Sequence, residues 1–177
     1  MSSLSEQLAG YHPVISCEGA AEEVIIKKLL DENRLVFPES EVIGVTRKRK
    51  ASDIQEEFLG FEYDWPVCII RVHDSCKEQF RLGNLYVSRF PVWSFTTHPE
   101  MEILVVLREN KWEKWRKSKK KPSDFCKQYL GMKRIKSTSF LTDYWNADSI
   151  AEAALEYRRK SKISSRELCL ADLIRYS

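Results

Sequence analysis

Five acidic residues stand where this chain could do chemistry: Glu18, Glu22, Asp74, Glu100 and Glu102. Glu18, followed by Gly19, ends the apolar run Val14 to Cys17 and opens an amphipathic stretch that carries Glu22. Asp74 follows the run VCIIRV at Val67 to Val72, and Glu100 and Glu102 follow a β-rich segment ending at Thr97. A carboxylate at the tip of a buried strand is held where the chain turns, as a metal ligand or a general base must be. Carboxylates drawn together repel one another, and Mg²⁺ or Mn²⁺, which prefer hard oxygen ligands, would relieve that repulsion. Such an ion would polarise a phosphate, so phosphoryl chemistry is the expectation. Each acid also has an ordinary reading. Glu18 would complement a helix dipole, Asp74 would cap a turn before Ser75, and Glu102 would be a solvated first-turn acid.

The elements that must position these acids are legible as alternating strands and helices. Val14 to Cys17 reads as a buried strand and Ala20 to Asn33 as a helix with an acidic first turn and apolar Val24, Ile25, Leu29 and Leu30. Glu41 to Thr46 is a second β-rich run, Asp53 to Leu59 a short helix capped by Ser52 or Asp53, and Val67 to Val72 a third strand. Asn84 to Val87 and Val92 to Thr97 read as further strands, with Tyr86, Trp93 and Phe95 suiting a pleated surface. From Pro99 the pattern is helical: Met101 to Trp115, Asp124 to Leu130 stopped by Gly131, Thr138 to Trp145, Ala147 to Lys160 and Arg166 to Tyr176. The expected fold is α/β, a mainly parallel sheet flanked by helices, with a helical C-terminal half. The expected organisation is one domain over 1–177, with an α/β core at 14–106 and a helical extension at 107–177. Functional groups of such sheets gather beyond the carboxyl ends of the strands, where all the acids named above fall.

Glu18-Gly19-x-x-Glu22, a later strand ending in an aspartate and a Pro-x-x-Glu helix start at Pro99 to Glu102 resemble the TOPRIM fold of OLD-family and RloB-like proteins of phage-defence and mobile-element loci. The resemblance covers about Val14 to Val106 and extends loosely through Lys136-Ser137-Thr138-Ser139-Phe140 and Glu167 to Leu173. It implies a nuclease-like site dependent on Mg²⁺ or Mn²⁺. Glu18 would be the acid/base or metal-binding glutamate, Glu22 its helix partner, Asp74 the first aspartate of a DxD motif and Glu102 the later ligand. Glu18 and Asp74 are then the expected catalytic residues. Glu18, Asp74 and Glu102 are the expected metal ligands, with Glu22 and Glu100 as further candidates. The chain departs from DxD at Asp74-Ser75-Cys76, where a thiol that suits magnesium badly replaces one carboxylate. His73 and Glu100 are available in compensation.

Basic residues cluster although the net charge is only +3. Arg47, Lys48, Arg49 and Lys50 form one run; Lys117, Lys119, Lys120 and Lys121 lie in KWEKWRKSKKK; and Lys133, Arg134 and Lys136 form a third. Such runs are the electrostatic footprint for a phosphate backbone, so DNA or RNA is the expected partner, with an accompanying protein such as an ATPase as a further candidate. Trp112 and Trp115 would stack on unpaired bases or, at helical spacing with Leu104 and Leu107, pack inward; the second reading is preferred. His73 and His98 read as structural.

Other classes are excluded. Five cysteines without a CxxC pair support neither a disulfide framework nor a zinc knuckle. P-loop, GxGxxG, GxSxG and HExxH motifs are absent, so no organic cofactor is expected. The apolar runs are far short of the roughly 20 residues that span a bilayer, no secretory signal is visible, and a cytoplasmic location is expected. Two other functions fit the same residues: a catalytically degenerate TOPRIM-like module that binds nucleic acid or a protein within a larger complex, and a small-nucleotide sensor.

Overall fold

The apolar runs pair side by side into one parallel sheet. The computed structural model of the chain describes residues 3–75 and 78–176. After a short helix α1 (Leu4–Leu8), strands β1 (His12–Cys17), β2 (Gly44–Thr46), β3 (Val67–His73) and β4 (Val92–Thr96) form a four-stranded sheet in the order β2-β1-β3-β4. Every neighbouring pair is parallel, so each strand returns through a crossover. Alternation along the strands sends side chains to both faces, and both are covered. Val14, Val67 and Ile69 pack against Ile54, Leu59, Leu82 and Phe90 on one face. Ile15, Cys17, Cys68, Ile70, Val72 and Phe95 belong to the larger core on the other.

Helix α2 (Ala20–Asp31) buries Val24, Ile25, Ile26, Leu29 and Leu30, places Glu22 and Glu23 in its first turn, and ends at Asn33, whose φ of 51° is a left-handed stop. Helix α3 (Ala51–Ile54) runs into a π-helical turn at Gln55–Leu59, so this helix begins before Asp53 and takes neither Ser52 nor Asp53 as its cap. Asn84–Val87 is helical (α4), not a strand. Its β-favouring residues have no neighbouring strand to pair with, Leu85 and Val87 point to solvent, and Tyr86 packs toward Phe90.

The helical half comprises α5 (Ile103–Arg108), α6 (Trp112–Ser118), α7 (Pro122–Tyr129), α8 (Thr138–Tyr144), α9 (Ala147–Lys160) and α10 (Leu170–Leu173). The helix expected to start at Pro99 to Glu102 and run from Met101 to Trp115 begins only at Ile103, after a turn at Met101 and Glu102, and is divided at Asn110, whose φ of 55° breaks it into α5 and α6. Gly131, at φ 69°, stops the chain after α7, and Ser137 and Asn146 cap α8 and α9 through their side chains. Of Arg166 to Tyr176 only Leu170–Leu173 is helical. The flanking backbone is used instead as strap: Leu168 accepts the Thr96 amide at the open edge of β4, and Arg175 donates to the Arg34 carbonyl. The larger core runs without interruption from Leu8 to Ile174, so the helices after residue 106 build one core with the sheet. No helix among the described residues is long and apolar enough to cross a membrane.

Candidate functional site

The chain leaves β1 on one side toward β2 and leaves β3 on the other toward β4, which makes the carboxyl ends of β1 and β3 the topological switch point of the sheet. Glu18 follows the first of these strands and Asp74 the second. The Glu18 amide donates to the Val72 carbonyl at 3.0 Å, carrying the ladder one residue beyond β1. Its carboxylate Oε2 accepts the backbone amides of Asp74 (2.8 Å) and Ser75 (3.2 Å), and Oε1 accepts from Arg49 at 2.6 Å. Glu18 therefore clamps the turn that carries Asp74.

Glu22 on the first turn of α2 and Glu102 just ahead of α5 are both buried, at 4% and 5% exposure. With Glu18, Gly19, Asp74 and Lys136 they line a cavity of about 130 Å³. Gly19 leaves room for this grouping, because a Cβ there would lie 3.2 Å from Glu22 Oε2. Glu100 is turned aside: it accepts the Ser123 amide at 3.0 Å and pairs with Lys136 at 3.3 Å, while Lys136 stands 3.8 Å from Glu102.

The proximity of these acids shifts their proton affinity in opposite senses. Burial pushes Glu22 up to about 7, and the charges of Glu102 and Glu18 act the same way. Burial also raises Asp74, helped by the Glu18 charge and their shared hydrogen bond. Glu18 is held down although burial opposes it, because the Asp74 and Ser75 amides and Arg49 favour its ionised form. Glu18 thus favours its ionised form, while the same closeness drives Asp74 toward the protonated one. Glu102 is raised by burial, and Glu100 is lowered because the Ser123 bond and Lys136 outweigh its burial.

A second grouping adjoins the first. Ligand atoms of Glu18, His73 and Glu78 lie within 4.8 Å of one another. His73 Nδ1 lies 2.9 Å from the Ser75 carbonyl, to which it donates, and Nε2 is buried with no hydrogen-bond partner among the described residues. Burial and then Arg71 lower the His73 pKa, so the ring is neutral with a lone pair on Nε2, the form and second-sphere bond of a metal-ligating histidine. Arg71 is buried within β3 and pairs with Glu78 at 2.8 Å; Arg49 stands 3.6 Å from Glu78. Sequence reading missed Glu78. An arginine inside a fully buried strand was its signal, since a buried charge needs an acidic partner.

The structure thus brings together Glu18, Glu22, Asp74 and Glu102, with Glu100 at the rim through Lys136. Cys76 of the Asp74-Ser75-Cys76 departure lies outside the described residues. Among the basic candidates, Arg47 pairs with Glu23, Lys48 with Glu57, Arg49 with Glu18 and Lys136 with Glu100. Lys50 immediately precedes α3, and Arg134 donates to Ser139 Oγ. Lys50, Lys117, Lys119, Lys120, Lys121 and Lys133 are exposed. Trp112 is buried and Trp115 half-buried against the core, their ring centroids 5.0 Å apart.

His98 sits in the bend after β4, five residues ahead of α5 instead of directly before a helix, where its amide donates to Tyr157 Oη at 2.8 Å and its carbonyl accepts from that hydroxyl at 3.1 Å. Tyr157→Phe should cost about 1–2 kcal/mol, read as a lower urea midpoint with an unchanged slope. An unaltered midpoint would show that the hydroxyl does not hold this bend.

No protein-family model, curated protein or solved structure matches the chain.

Proposed function

We propose that this chain is a TOPRIM-like, divalent-metal-dependent nuclease of the OLD/RloB kind, acting in the cytoplasm on DNA or RNA in phage defence, alone or beside a partner such as an ATPase. The observation that carries the reading is the convergence of Glu18, Asp74, Glu22 and Glu102 at the switch point of the parallel sheet. Buried thiols at Cys17, Cys68, Cys126 and Cys169 accord with a reducing compartment.

The chemistry of the donor set suits a hard cation, but its carboxylates would have to close on the ion, because among the described residues only Glu18, His73 and Glu78 bring three ligand atoms within 4.8 Å of one another. Four carboxylates share one small cavity, and two of them hold protons toward neutral pH because of burial and one another's charge, the excess that a hard cation relieves. Glu18, Asp74 and Glu102 would hold it, with Glu22 behind them. When bound, the ion would polarise a phosphodiester and offset charge on the attacking and leaving oxygens. The chain's own residues do the rest. The Asp74 and Ser75 amides fix Glu18, and Lys136 offers a cation at the cavity mouth. The imidazole of His73 makes the adjoining Glu18–His73–Glu78 grouping better suited to Mn²⁺ than to Mg²⁺.

A second reading, a catalytically degenerate module that binds nucleic acid or a partner protein, is favoured by one observation. Arg49, Arg71 and Lys136 already compensate Glu18, Glu78, Glu100 and Glu102. Titration calorimetry of Mg²⁺ and Mn²⁺ into wild type and Glu18→Gln separates the two. The nuclease reading expects binding in wild type, at least a tenfold loss in the variant, and metal-dependent nicking that is lost with it. Absence of binding in both folded proteins would leave the interaction module.

A further inference from the structure

Residues from the C-terminal ends of α6 and α9 line one cleft of about 500 Å³, within the range of small-ligand sites. Its apolar wall is Trp112 and Trp115, and Trp115 is anchored by an Nε1–H bond to the Lys120 carbonyl at 2.9 Å. Arg116, Lys119 and Lys120 contribute cations from α6 and the turn after it. Lys160 and Lys162 contribute two more from the end of α9. No acidic side chain lines the cleft among the described residues. Arg116 and Lys160 have acidic neighbours on their own helices, at 3.6 and 3.3 Å, whereas Lys119, Lys120 and Lys162 make no ion pair with a described residue.

Lys119 and Lys162 share a second property. Both hold left-handed backbone, with φ of 55° and 53°, at the helix ends where glycine or asparagine is the easier residue. Lysine there gains the fold nothing through an ion pair. A long cationic side chain at a strained position twice over, each lining one aromatic-walled cleft, suits a ligand bearing phosphate and a flat ring.

The cleft also leads to the acids. His98 lines it and equally lines a neighbouring cavity of about 160 Å³ shared by His73, Ser75 and Glu78. The Ser75 amide is one of the two that hold Glu18.

We propose that this cleft binds an unpaired nucleotide of a single strand, its base against the Trp112–Trp115 wall and its phosphates between Lys119–Lys120 and Lys160–Lys162. The strand would then run past His98 toward Glu18. The site shares with the proposed function only the premise that the ligand is nucleic acid, because capture here needs neither a metal nor Glu18.

The test is therefore made in EDTA, following tryptophan fluorescence and the anisotropy of a labelled oligothymidylate. Asparagine tolerates left-handed backbone, so Lys119→Asn/Lys162→Asn removes two charges without straining the fold. It should weaken oligothymidylate binding about tenfold or more and flatten its salt dependence by about 1.4, that is 0.7 per lost phosphate contact. Lys111→Gln/Lys127→Gln, with the same change in net charge at exposed positions outside the cleft, should weaken it by less than about threefold. Thymidine monophosphate competing as well as the strand would identify a free nucleotide as the occupant, with the same dependence on Lys119 and Lys162. The proposal is overturned if wild type binds neither probe, if the cleft variant binds like wild type, or if the control pair weakens binding equally. If metal binding fails while cleft binding stands, the nuclease reading falls alone.

Discussion

Glu18→Ala is expected to destabilise the chain by about 2–4 kcal/mol at neutral pH, more than an acidic residue at a strand tip ordinarily would. The size comes from what Oε2 accepts. It holds the amides of Asp74 and Ser75, and without it two partly buried N–H groups at the end of β3 lose their acceptor at once. Bonds from amides to a charged group are worth more than neutral ones. The exposed Arg49 contact adds little, being screened by solvent. Glu18→Gln retains one carbonyl oxygen for these amides and should cost less than half as much, while still removing a charged ligand. The pH dependence has a definite sign. Because the folded state lowers the Glu18 pKa, its stabilisation is present above the ordinary carboxylate range and is lost as pH falls through the folded value. Urea unfolding of the three proteins at pH 7 and near pH 3 checks this. Equal midpoints for wild type and Glu18→Ala at pH 7 would remove the clamp.

Glu22→Gln should act oppositely and stabilise the metal-free protein, by up to about 3 kcal/mol at pH 8 if the carboxyl titrates near 7, each unit being worth 1.36 kcal/mol. Here folding raises the pKa, because α2 buries Glu22 beside the charges of Glu102 and Glu18. Between the ordinary glutamate value and about 7 the folded chain binds more protons than the unfolded one. Wild-type stability therefore falls as pH rises through that window, and the difference from the amide variant opens across it. Below about pH 4 the two proteins should coincide. If the proposed metal site is real, Mg²⁺ should recover the loss in wild type at pH 8 and do so less in Glu22→Gln. Parallel pH profiles for the two proteins would show that Glu22 carries no buried charge at neutral pH.

Which carboxylates would meet was legible because a short apolar run followed by an acid is a local pattern. Val14 to Cys17 and Val67 to Val72 are apolar on both faces, as parallel strands covered on both sides must be. Acids immediately beyond them fall at the same sheet end whatever the order of strands. Asn84 to Val87 misled because aromatic and branched residues favour a strand only where a neighbouring strand exists to receive them. Met101 to Trp115 kept helical character throughout, yet Asn110 stops the helix and separates α5, buried from Ile103 to Leu107, from α6, where only Trp112 is buried.

The pairing of charges required the tertiary structure. Nothing in RKRK distinguishes Arg49, which reaches Glu18, from Lys50 beside it, and nothing in KRIK marks Lys136 as the cation at the mouth of the acidic cavity. Glu78 and Lys162 drew no notice, because groups around them, Arg49 and Glu18 beside the first and α6 beside the second, come from distant parts of the chain.

By itself the amino-acid order determined the alternation of strands and helices, the parallel sheet and the set of acids at its carboxyl end, since these follow from periodicity, buried runs and the residue after each run. Only the tertiary structure decided that β1 and β3 lie side by side at the switch point, that burial and neighbouring charge raise the proton affinity of Asp74 and Glu22, and that Trp115 and Lys162 line one cleft. Those facts depend on distances between residues far apart in sequence, and distance is what burial, charge and hydrogen bonding act through.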